Sequence, residues 1–103
     1  MPDPIRRLLD SPPDLPVVAG LPALATALEE RSLAVMHAPP GTGKTTLVPP
    51  CVAAGVTGRV VVTQPSRIAA RAAARRLASL LGEPVGHSVG YAVRGERKVG
   101  PHT

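Results

Sequence analysis

A glycine-rich segment, MHAPPGTGKTTLVPP over residues 36–50, most constrains the fold of this 103-residue chain. An apolar run, SLAVMHA, leads into it, and a run that predicts a helix follows it. A strand, a glycine-rich loop and a helix in that order form a cradle for phosphate, because backbone N–H groups turn inward and the helix N-terminus carries partial positive charge. The segment therefore predicts a nucleotide-binding loop, and the alternative is an ordinary Gly-Pro turn with a solvated lysine.

The residue types of this loop match the chemistry of phosphate binding. The strict pattern G-x-x-x-x-G-K-[ST] fails at one position, because Ala38 stands where the first glycine is usual. Gly41 and Gly43 let the backbone approach phosphate oxygens without Cβ clashes. Lys44 can reach the β- and γ-phosphates, and the Thr45 hydroxyl can ligate Mg²⁺. The loop is therefore expected to keep its chemistry despite the alanine.

Predicted helices and short apolar runs alternate along the rest of the chain. Residues 1–15 are rich in proline and predict an extended lead-in, with at most one helical turn over 5–9. Helices are predicted over 22–31, from about 43 to 54 and over 66–81, and strands over 33–37, 59–65 and 90–96. Such alternation predicts an α/β fold, with a parallel sheet, right-handed crossovers and flanking helices.

Local signals support the last predicted helix and weaken the one before it. Ser66 can cap the helix over 66–81, and Gly82 can end it. That helix has a basic stripe formed by Arg67, Arg71 and Arg75. Its apolar face consists of Ile68, Ala72, Leu77 and Leu80. Pro49 and Pro50 fall inside the preceding helix, where proline lacks an amide hydrogen and is expected to kink it.

Charge and composition limit the classes of partner. The net charge is +5, and no Asp or Glu lies between Glu30 and Glu83. A basic middle favours a polyanionic partner, either nucleotide phosphate or nucleic acid, and a solvated basic face is the alternative. With one Tyr and no Phe or Trp, the chain lacks a cluster of stacking aromatics for RNA. No apolar run spans a membrane and no secretory signal opens the chain, so a cytoplasmic protein without a membrane partner is predicted.

Four segments together resemble the DEAH-box ATP-dependent RNA helicases of superfamily 2, of the bacterial HrpB type. They are LPV at 15–17, APPGTGKTT at 38–46, TQPSRIAARAAARRLA at 63–78 and VGYAVRGE at 89–96. In that family Ala or Gly opens the phosphate loop, and a proline soon after Lys-Thr-Thr is usual, as Pro49 is here. The resemblance implies that residues 16–103 are the N-terminal part of a RecA-like P-loop NTPase domain.

The resemblance also implies roles for single residues. The residues implied to bind ATP and Mg²⁺ are Pro40, Gly41, Thr42, Gly43, Lys44, Thr45 and Thr46, with Lys44 and Thr45 taking part in catalysis. Arg76 aligns with an arginine that stacks on adenine, although the adjacent Arg75 could take that place. The residues implied to lie near the RNA backbone are Gln64, Ser66 and Arg67. Ser66 stands where the family usually has arginine, which removes one expected phosphate contact.

The acidic residues that ATP hydrolysis needs are missing from the sequence. A carboxylate must hold Mg²⁺ and another must orient the attacking water. After Lys44 the only acids are Glu83 and Glu96, and neither belongs to an Asp-Glu pair. The Ser-Ala-Thr motif and the second RecA-like domain with its arginine fingers are missing too. The expectation is therefore a truncated helicase that binds ATP but does not hydrolyse it alone.

The expected partners are RNA and the remainder of a helicase chain, and no oligomeric state is predicted. The preference for RNA over DNA comes only from the resemblance. Three alternatives stay open: a non-catalytic nucleotide- or nucleic-acid-binding module, a small P-loop enzyme such as a nucleoside kinase, and a truncated product without function. A nucleoside kinase would require an acidic residue on a later strand and a substrate lid, and neither is visible in the sequence.

Overall fold

The computed structural model describes residues 3–103, which contain four α-helices, one 3₁₀ helix and one antiparallel β-hairpin. The elements are α1 (Pro4–Asp10), η1 (Pro16–Gly20), α2 (Leu21–Arg31), α3 (Lys44–Ala54), α4 (Arg67–Leu81), β1 (Tyr91–Val93) and β2 (Glu96–Lys98). Two compact units divide the chain, unit 1 ending at Val60 and unit 2 running from Val61 to Thr103. This boundary falls inside the domain predicted over 16–103, and that domain assignment stays a prediction. No helix within residues 3–103 combines the length and apolar content needed to cross a membrane.

Unit 1 packs α1, α2 and η1 against α3. Asp3 caps α1 by accepting a hydrogen bond from the Ile5 N–H, and Pro4 occupies the first helical position, where a missing N–H costs nothing. The predicted lead-in is therefore helical over seven residues, longer than the one turn expected; residues 1–2 lie outside the described residues. The buried core of this unit consists of Leu8, Val17, Leu21, Leu24, Leu47 and Pro50.

The prolines of α3 do not end the helix, which runs from Lys44 to Ala54 as predicted. A proline inside a helix costs about 3 kcal/mol, because it cannot donate to the carbonyl one turn back. Pro50 is also one of the two most deeply buried large side chains, the other being Leu47. The burial of its apolar ring offsets part of that cost, which the local pattern alone did not account for.

Unit 2 contains α4, whose predicted ends are confirmed. Ser66 Oγ accepts from the Ala69 N–H at 3.1 Å and caps the N-terminus. At the C-terminus Gly82 adopts a left-handed backbone with φ +71°, and the Glu83 N–H donates to the Ala78 carbonyl at 3.0 Å. This is the Schellman arrangement, which satisfies the last carbonyls of the helix.

The apolar face predicted for α4 was only partly right. Leu77 is buried, but Ile68 is 78% exposed. The residues of α4 that are buried are Ala74, Leu77, Ala78 and Leu81. Spacings of three and four residues fit more than one stripe on an alanine-rich helix, and the packing of β1 against α4 selects this one.

The strands predicted over 33–37 and 59–65 are absent from the structure. Neither run pairs with another strand among residues 3–103, and Leu33, Val35 and Val61 are 76%, 93% and 82% exposed. An apolar run indicates only that a segment can be buried, whereas a strand also needs a neighbour to complete its hydrogen bonds. No described residue supplies that neighbour, so the parallel sheet is not confirmed.

The third predicted strand, over 90–96, is the first half of a hairpin. Strands β1 and β2 pair antiparallel, with Tyr91 opposite Lys98 and Val93 opposite Glu96. Gly95, in the connection between them, has φ +86°, a conformation that glycine adopts without strain. The chain therefore turns back where the prediction had it continue, and β1 packs on α4.

Candidate phosphate-binding loop and basic unit

The two glycines of the loop are required for different reasons. Gly41 and Gly43 have left-handed backbones, with φ +80° and +98°, which other residues rarely adopt. A Cβ atom on Gly41 would meet nothing within 4 Å, so only its backbone conformation demands glycine. A Cβ atom on Gly43 would lie 2.8 Å from Leu15 Cδ1 and 3.1 Å from Val17 Cγ1. Gly43 is therefore required for its backbone conformation and for space.

The position of Ala38, at the start of the loop, does not require glycine. Among residues 3–103 Ser32 is the one non-glycine residue with positive φ, so the φ of Ala38 is negative. The group of Ala38 that the loop uses is its carbonyl oxygen, which accepts a hydrogen bond from Lys44 Nζ at 2.7 Å. Since every residue has that carbonyl, alanine replaces glycine here without straining the backbone.

Lys44 and the start of α3 bring positive charge to the loop. Lys44 is the first residue of α3, and the Gly43 carbonyl accepts from the Leu47 N–H at 2.9 Å in the first turn. The N-terminal amides of the helix and the Lys44 ammonium therefore share one end of α3, an arrangement that favours an anion. Thr42 Oγ1 donates to the Pro39 carbonyl at 2.8 Å and stabilises the turn before them.

The loop could supply one ligand to Mg²⁺, the Thr45 hydroxyl, rather than a complete metal site. Thr45 is exposed at the start of α3, where its hydroxyl is accessible. Within residues 3–103 no three His, Cys, Asp or Glu side chains are grouped to hold a metal ion. Mg²⁺ typically keeps several waters and takes other oxygens from nucleotide phosphates, so a single hydroxyl is compatible with it.

The remaining residues that the sequence assigned to ligands all lie in unit 2. Gln64 is half-buried, whereas Arg67 and Arg76 are exposed. Ser66 is exposed, and its hydroxyl already accepts from the backbone of α4. The phosphate-loop residues lie in unit 1.

Positive charge is concentrated in unit 2. Its seven Lys and Arg against two Glu give a formal charge of +5, the net charge of the whole chain. In unit 1 five cationic side chains balance five acidic ones. The basic character noted in the sequence therefore belongs to the unit that contains α4 and the hairpin.

A polar network that the sequence did not predict holds the hairpin of unit 2 to α4. Arg71 Nε donates to Glu96 Oε1 at 3.2 Å, and the Tyr91 hydroxyl donates to the same oxygen. The hydrogen bond from Tyr91, with further attraction from Arg71, lowers the pKa of Glu96 below its ordinary value although partial burial opposes this. The same hydrogen bond, together with burial, raises the pKa of Tyr91. Arg71 therefore has a structural partner, whereas Arg67 is exposed.

Comparison with known proteins identifies where this combination of loop, helices and hairpin occurs. No family model matches the chain. The chain is 45% identical over 91 residues to the ATP-dependent RNA helicase HrpB of Escherichia coli (strain K12). It also superposes on the crystal structure of the Escherichia coli DEAH/RHA helicase HrpB with a TM-score of 0.82 and 44% sequence identity. The resemblance to helicases of the HrpB type is confirmed.

The match covers most of this chain but a small part of HrpB. The sequence alignment covers 86% of this chain but 11% of HrpB, and the structural one covers 87% of this chain and 12% of the solved chain. Nearly all of the chain is therefore HrpB-like, although it spans about a ninth of HrpB. The homology supports membership of the helicase family.

Proposed function

We propose that this chain is the phosphate-binding part of an ATP-dependent RNA helicase and binds ATP with Mg²⁺ but does not hydrolyse it alone. The geometry of the loop carries the proposal. Gly41 and Gly43 provide left-handed backbone next to the N-terminus of α3, and Lys44 stands at its first position. These are the features that a phosphate group requires of a backbone cradle.

The roles of the loop residues follow from their positions. Lys44 uses one N–H on the Ala38 carbonyl and can donate the other two to the β- and γ-phosphates, and Thr45 offers its hydroxyl to Mg²⁺. Residues that flank these groups and line the nucleotide are Pro40, Thr42 and Thr46. The proposal that Arg76 stacks on adenine is supported by the helicase resemblance.

The proposed lack of hydrolysis is supported by the state of the two carboxylates that follow the loop. Glu83 accepts from the Ser88 N–H, and Glu96 is bound to Tyr91 and Arg71. Each carboxylate therefore serves the structure of unit 2. Hydrolysis requires one carboxylate to hold Mg²⁺ and another to orient water, and neither glutamate belongs to an Asp-Glu pair.

Unit 2 is proposed to bind single-stranded RNA through the residues that precede and open α4, which are Gln64, Ser66 and Arg67. Its charge of +5 supports attraction of a phosphate backbone. The remainder of a helicase is the other proposed partner. When that remainder is present, the runs 33–37 and 59–65 of this chain would become strands of a RecA-like parallel sheet.

Calorimetric titration of the chain with ATP in the presence of Mg²⁺ tests the nucleotide site. Lys44→Ala should weaken binding about ten-fold or more, because a hydrogen bond to a charged group contributes about 1.5–3 kcal/mol. Arg31→Ala is the matched control, since it removes one exposed positive charge from the same unit. Thr45→Ala should abolish the difference in affinity with and without Mg²⁺. Equal affinity of the Lys44→Ala and Arg31→Ala variants would refute the assignment.

Fluorescence anisotropy with a single-stranded RNA oligonucleotide tests the nucleic-acid site. Arg67→Ala should weaken binding and reduce the slope of log affinity against log salt by about 0.7, the value for one phosphate contact on a single strand. The Arg31→Ala variant again controls for the loss of one charge. If both variants change the slope equally, Arg67 makes no specific phosphate contact and the attraction is diffuse.

A further inference from the structure

A segment outside the glycine-rich motif packs on the phosphate loop. Val17 belongs to η1, is 5% exposed and donates its backbone N–H to the Thr42 carbonyl at 2.9 Å. Leu15 and Val17 also lie against Gly43, because a Cβ atom there would meet the side chains of both. The segment and the loop are separated by more than twenty residues in sequence but are in direct contact in unit 1.

This contact determines the direction of a backbone N–H in the loop. In a trans peptide the C=O of one residue and the N–H of the next point to opposite sides. The Thr42 carbonyl points at Val17, so the Gly43 N–H points away from the Leu15–Val17 segment. No cis peptide occurs within residues 3–103. The hydrogen bond from Val17 therefore fixes the direction of the Thr42 carbonyl, and the Gly43 N–H lies on the opposite side of the peptide.

The loop needs such external support. Gly41 and Gly43 adopt left-handed backbone without strain, but glycine also populates many other conformations, so contacts from outside the loop help to select this one. Within the loop, side-chain hydrogen bonds run from Thr42 to the Pro39 carbonyl and from Lys44 to the Ala38 carbonyl. The Lys44 bond depends on a flexible side chain that is also needed for the phosphate, whereas the Val17 hydrogen bond joins two backbone groups.

The supporting segment is itself well anchored. Pro16 opens η1, the Leu15 N–H donates to the Pro13 carbonyl at 2.9 Å, and the Val18 N–H donates to the Leu15 carbonyl at 3.1 Å. Helix η1 leads directly into α2 and packs on both α2 and α3. A fixed φ at proline and these short hydrogen bonds limit the freedom of the segment.

We propose that Leu15 and Val17 are positioning residues, which fix the Thr42–Gly43 peptide so that the Gly43 N–H is presented to a phosphate oxygen. The identity of the ligand rests on the proposed ATP-binding function, but the orientation of the peptide does not. Because coupling between sites is reciprocal, bound ATP should in turn slow the exchange of the Val17 amide hydrogen.

The experiment compares Leu15→Ala with Leu8→Ala in the 103-residue chain by NMR. Leu8 is the matched control, a buried leucine on α1, which packs on the same helix α3. Without ligand, Leu15→Ala should speed hydrogen exchange at the Val17 amide, which donates to the Thr42 carbonyl, relative to amides of α3, and Leu8→Ala should not. The conservative Leu15→Met variant should restore slow exchange, and it remains measurable if Leu15→Ala does not fold.

ATP affinity provides the second readout, corrected for the folded fraction of each variant. Leu15→Ala should weaken binding by about two- to ten-fold, the range of one net hydrogen bond. Leu8→Ala should change affinity less than about two-fold on the same scale. If the two leucine variants affect exchange and affinity equally, Leu15 is merely structural and the inference is wrong. If the wild-type chain binds no ATP, the proposed function fails, while the exchange data still decide the positioning role.

Discussion

Replacing each loop glycine with alanine separates backbone strain from steric crowding. Gly41→Ala places a methyl group where nothing lies within 4 Å, so its cost is that of a left-handed alanine at φ +80°. Gly43→Ala imposes the same kind of strain at φ +98° and also drives the methyl group against Leu15 and Val17. The difference between the two variants therefore measures the contact between the loop and the segment that packs on it.

The magnitudes follow from these two terms. Left-handed backbone costs an alanine about 1–2 kcal/mol, and alanine recovers about 0.4–1 kcal/mol by restricting the unfolded chain. Both terms are of the same kind at Gly41 and Gly43 and largely cancel in the comparison. Overpacking adds about 1–3 kcal/mol when neighbours must move, and a separation of 2.8 Å from Leu15 Cδ1 requires movement. Gly43→Ala should therefore lower the free energy of unfolding by about 1–3 kcal/mol more than Gly41→Ala.

Urea unfolding followed by two signals measures the effect. Circular dichroism reports the helices of both units, whereas tyrosine fluorescence reports only unit 2, because Tyr91 is the one aromatic residue of the chain. Both loop variants should shift the dichroism transition, and the fluorescence transition shows whether unit 2 responds as well. A shift confined to fluorescence would show that the substitutions act elsewhere.

A double-mutant cycle decides whether Leu15 causes the extra cost. Leu15→Ala removes the Cδ1 atom that the new methyl group would meet, although its Cβ remains 3.0 Å away. Gly43→Ala should thus cost less in the Leu15→Ala background than in the wild type, with a coupling of about 0.5 kcal/mol or more. Strict additivity, or equal costs for the two glycine variants, would refute the steric explanation.

The packing and charges of the two units give four more expected outcomes. Leu47→Ala removes a side chain of 0% exposure and should cost about 2–5 kcal/mol in urea unfolding, whereas Leu33→Ala, at 76% exposure, should cost less than about 0.5 kcal/mol. Ser66→Ala removes the cap of α4 and should cost unit 2 about 1 kcal/mol by tyrosine fluorescence. The lowered pKa of Glu96 stabilises unit 2 above the ordinary carboxyl pKa, and this stability is lost as pH falls through the lowered value; unchanged acid unfolding of Glu96→Gln would contradict it. The raised pKa of Tyr91 stabilises unit 2 below the ordinary phenol pKa, and this is lost as pH rises through the raised value, which tyrosinate absorbance measures.

Local signals were sufficient to predict helices α2, α3 and α4 but not the strands. Ser66 and Gly82 mark the ends of α4 through hydrogen bonds made within a few residues, so the sequence contains the information. The runs 33–37 and 59–65 contain β-branched and apolar residues, yet neither forms a strand of a sheet among residues 3–103. Strand formation depends on distant residues, and apolar composition cannot supply them.

The same division applies to the candidate site. The loop residues are contiguous, and the spacing of Gly41, Gly43 and Lys44 predicted the turn at the start of α3. The support from Leu15 and Val17 crosses a long stretch of sequence that includes all of α2. Its only local signal was the LPV segment, noted as part of the family resemblance without a physical role. The bond between Arg71 and Glu96 likewise joins a helix to a hairpin that was predicted as a single strand.

Three positions of the phosphate loop, Ala38, Gly41 and Gly43, differ in how strictly they require glycine. At Ala38 the backbone has an ordinary φ and the only group in use is a carbonyl, so glycine is dispensable. At Gly41 the backbone alone demands glycine, and a residue that tolerates left-handed geometry, such as asparagine, meets part of that demand. At Gly43 both φ and the packed Leu15–Val17 segment exclude a side chain, and asparagine meets neither need in full. The tolerance of each position is thus set by its backbone conformation and by what packs against it, and the Leu15–Val17 segment belongs to the proposed phosphate site as much as the glycines do.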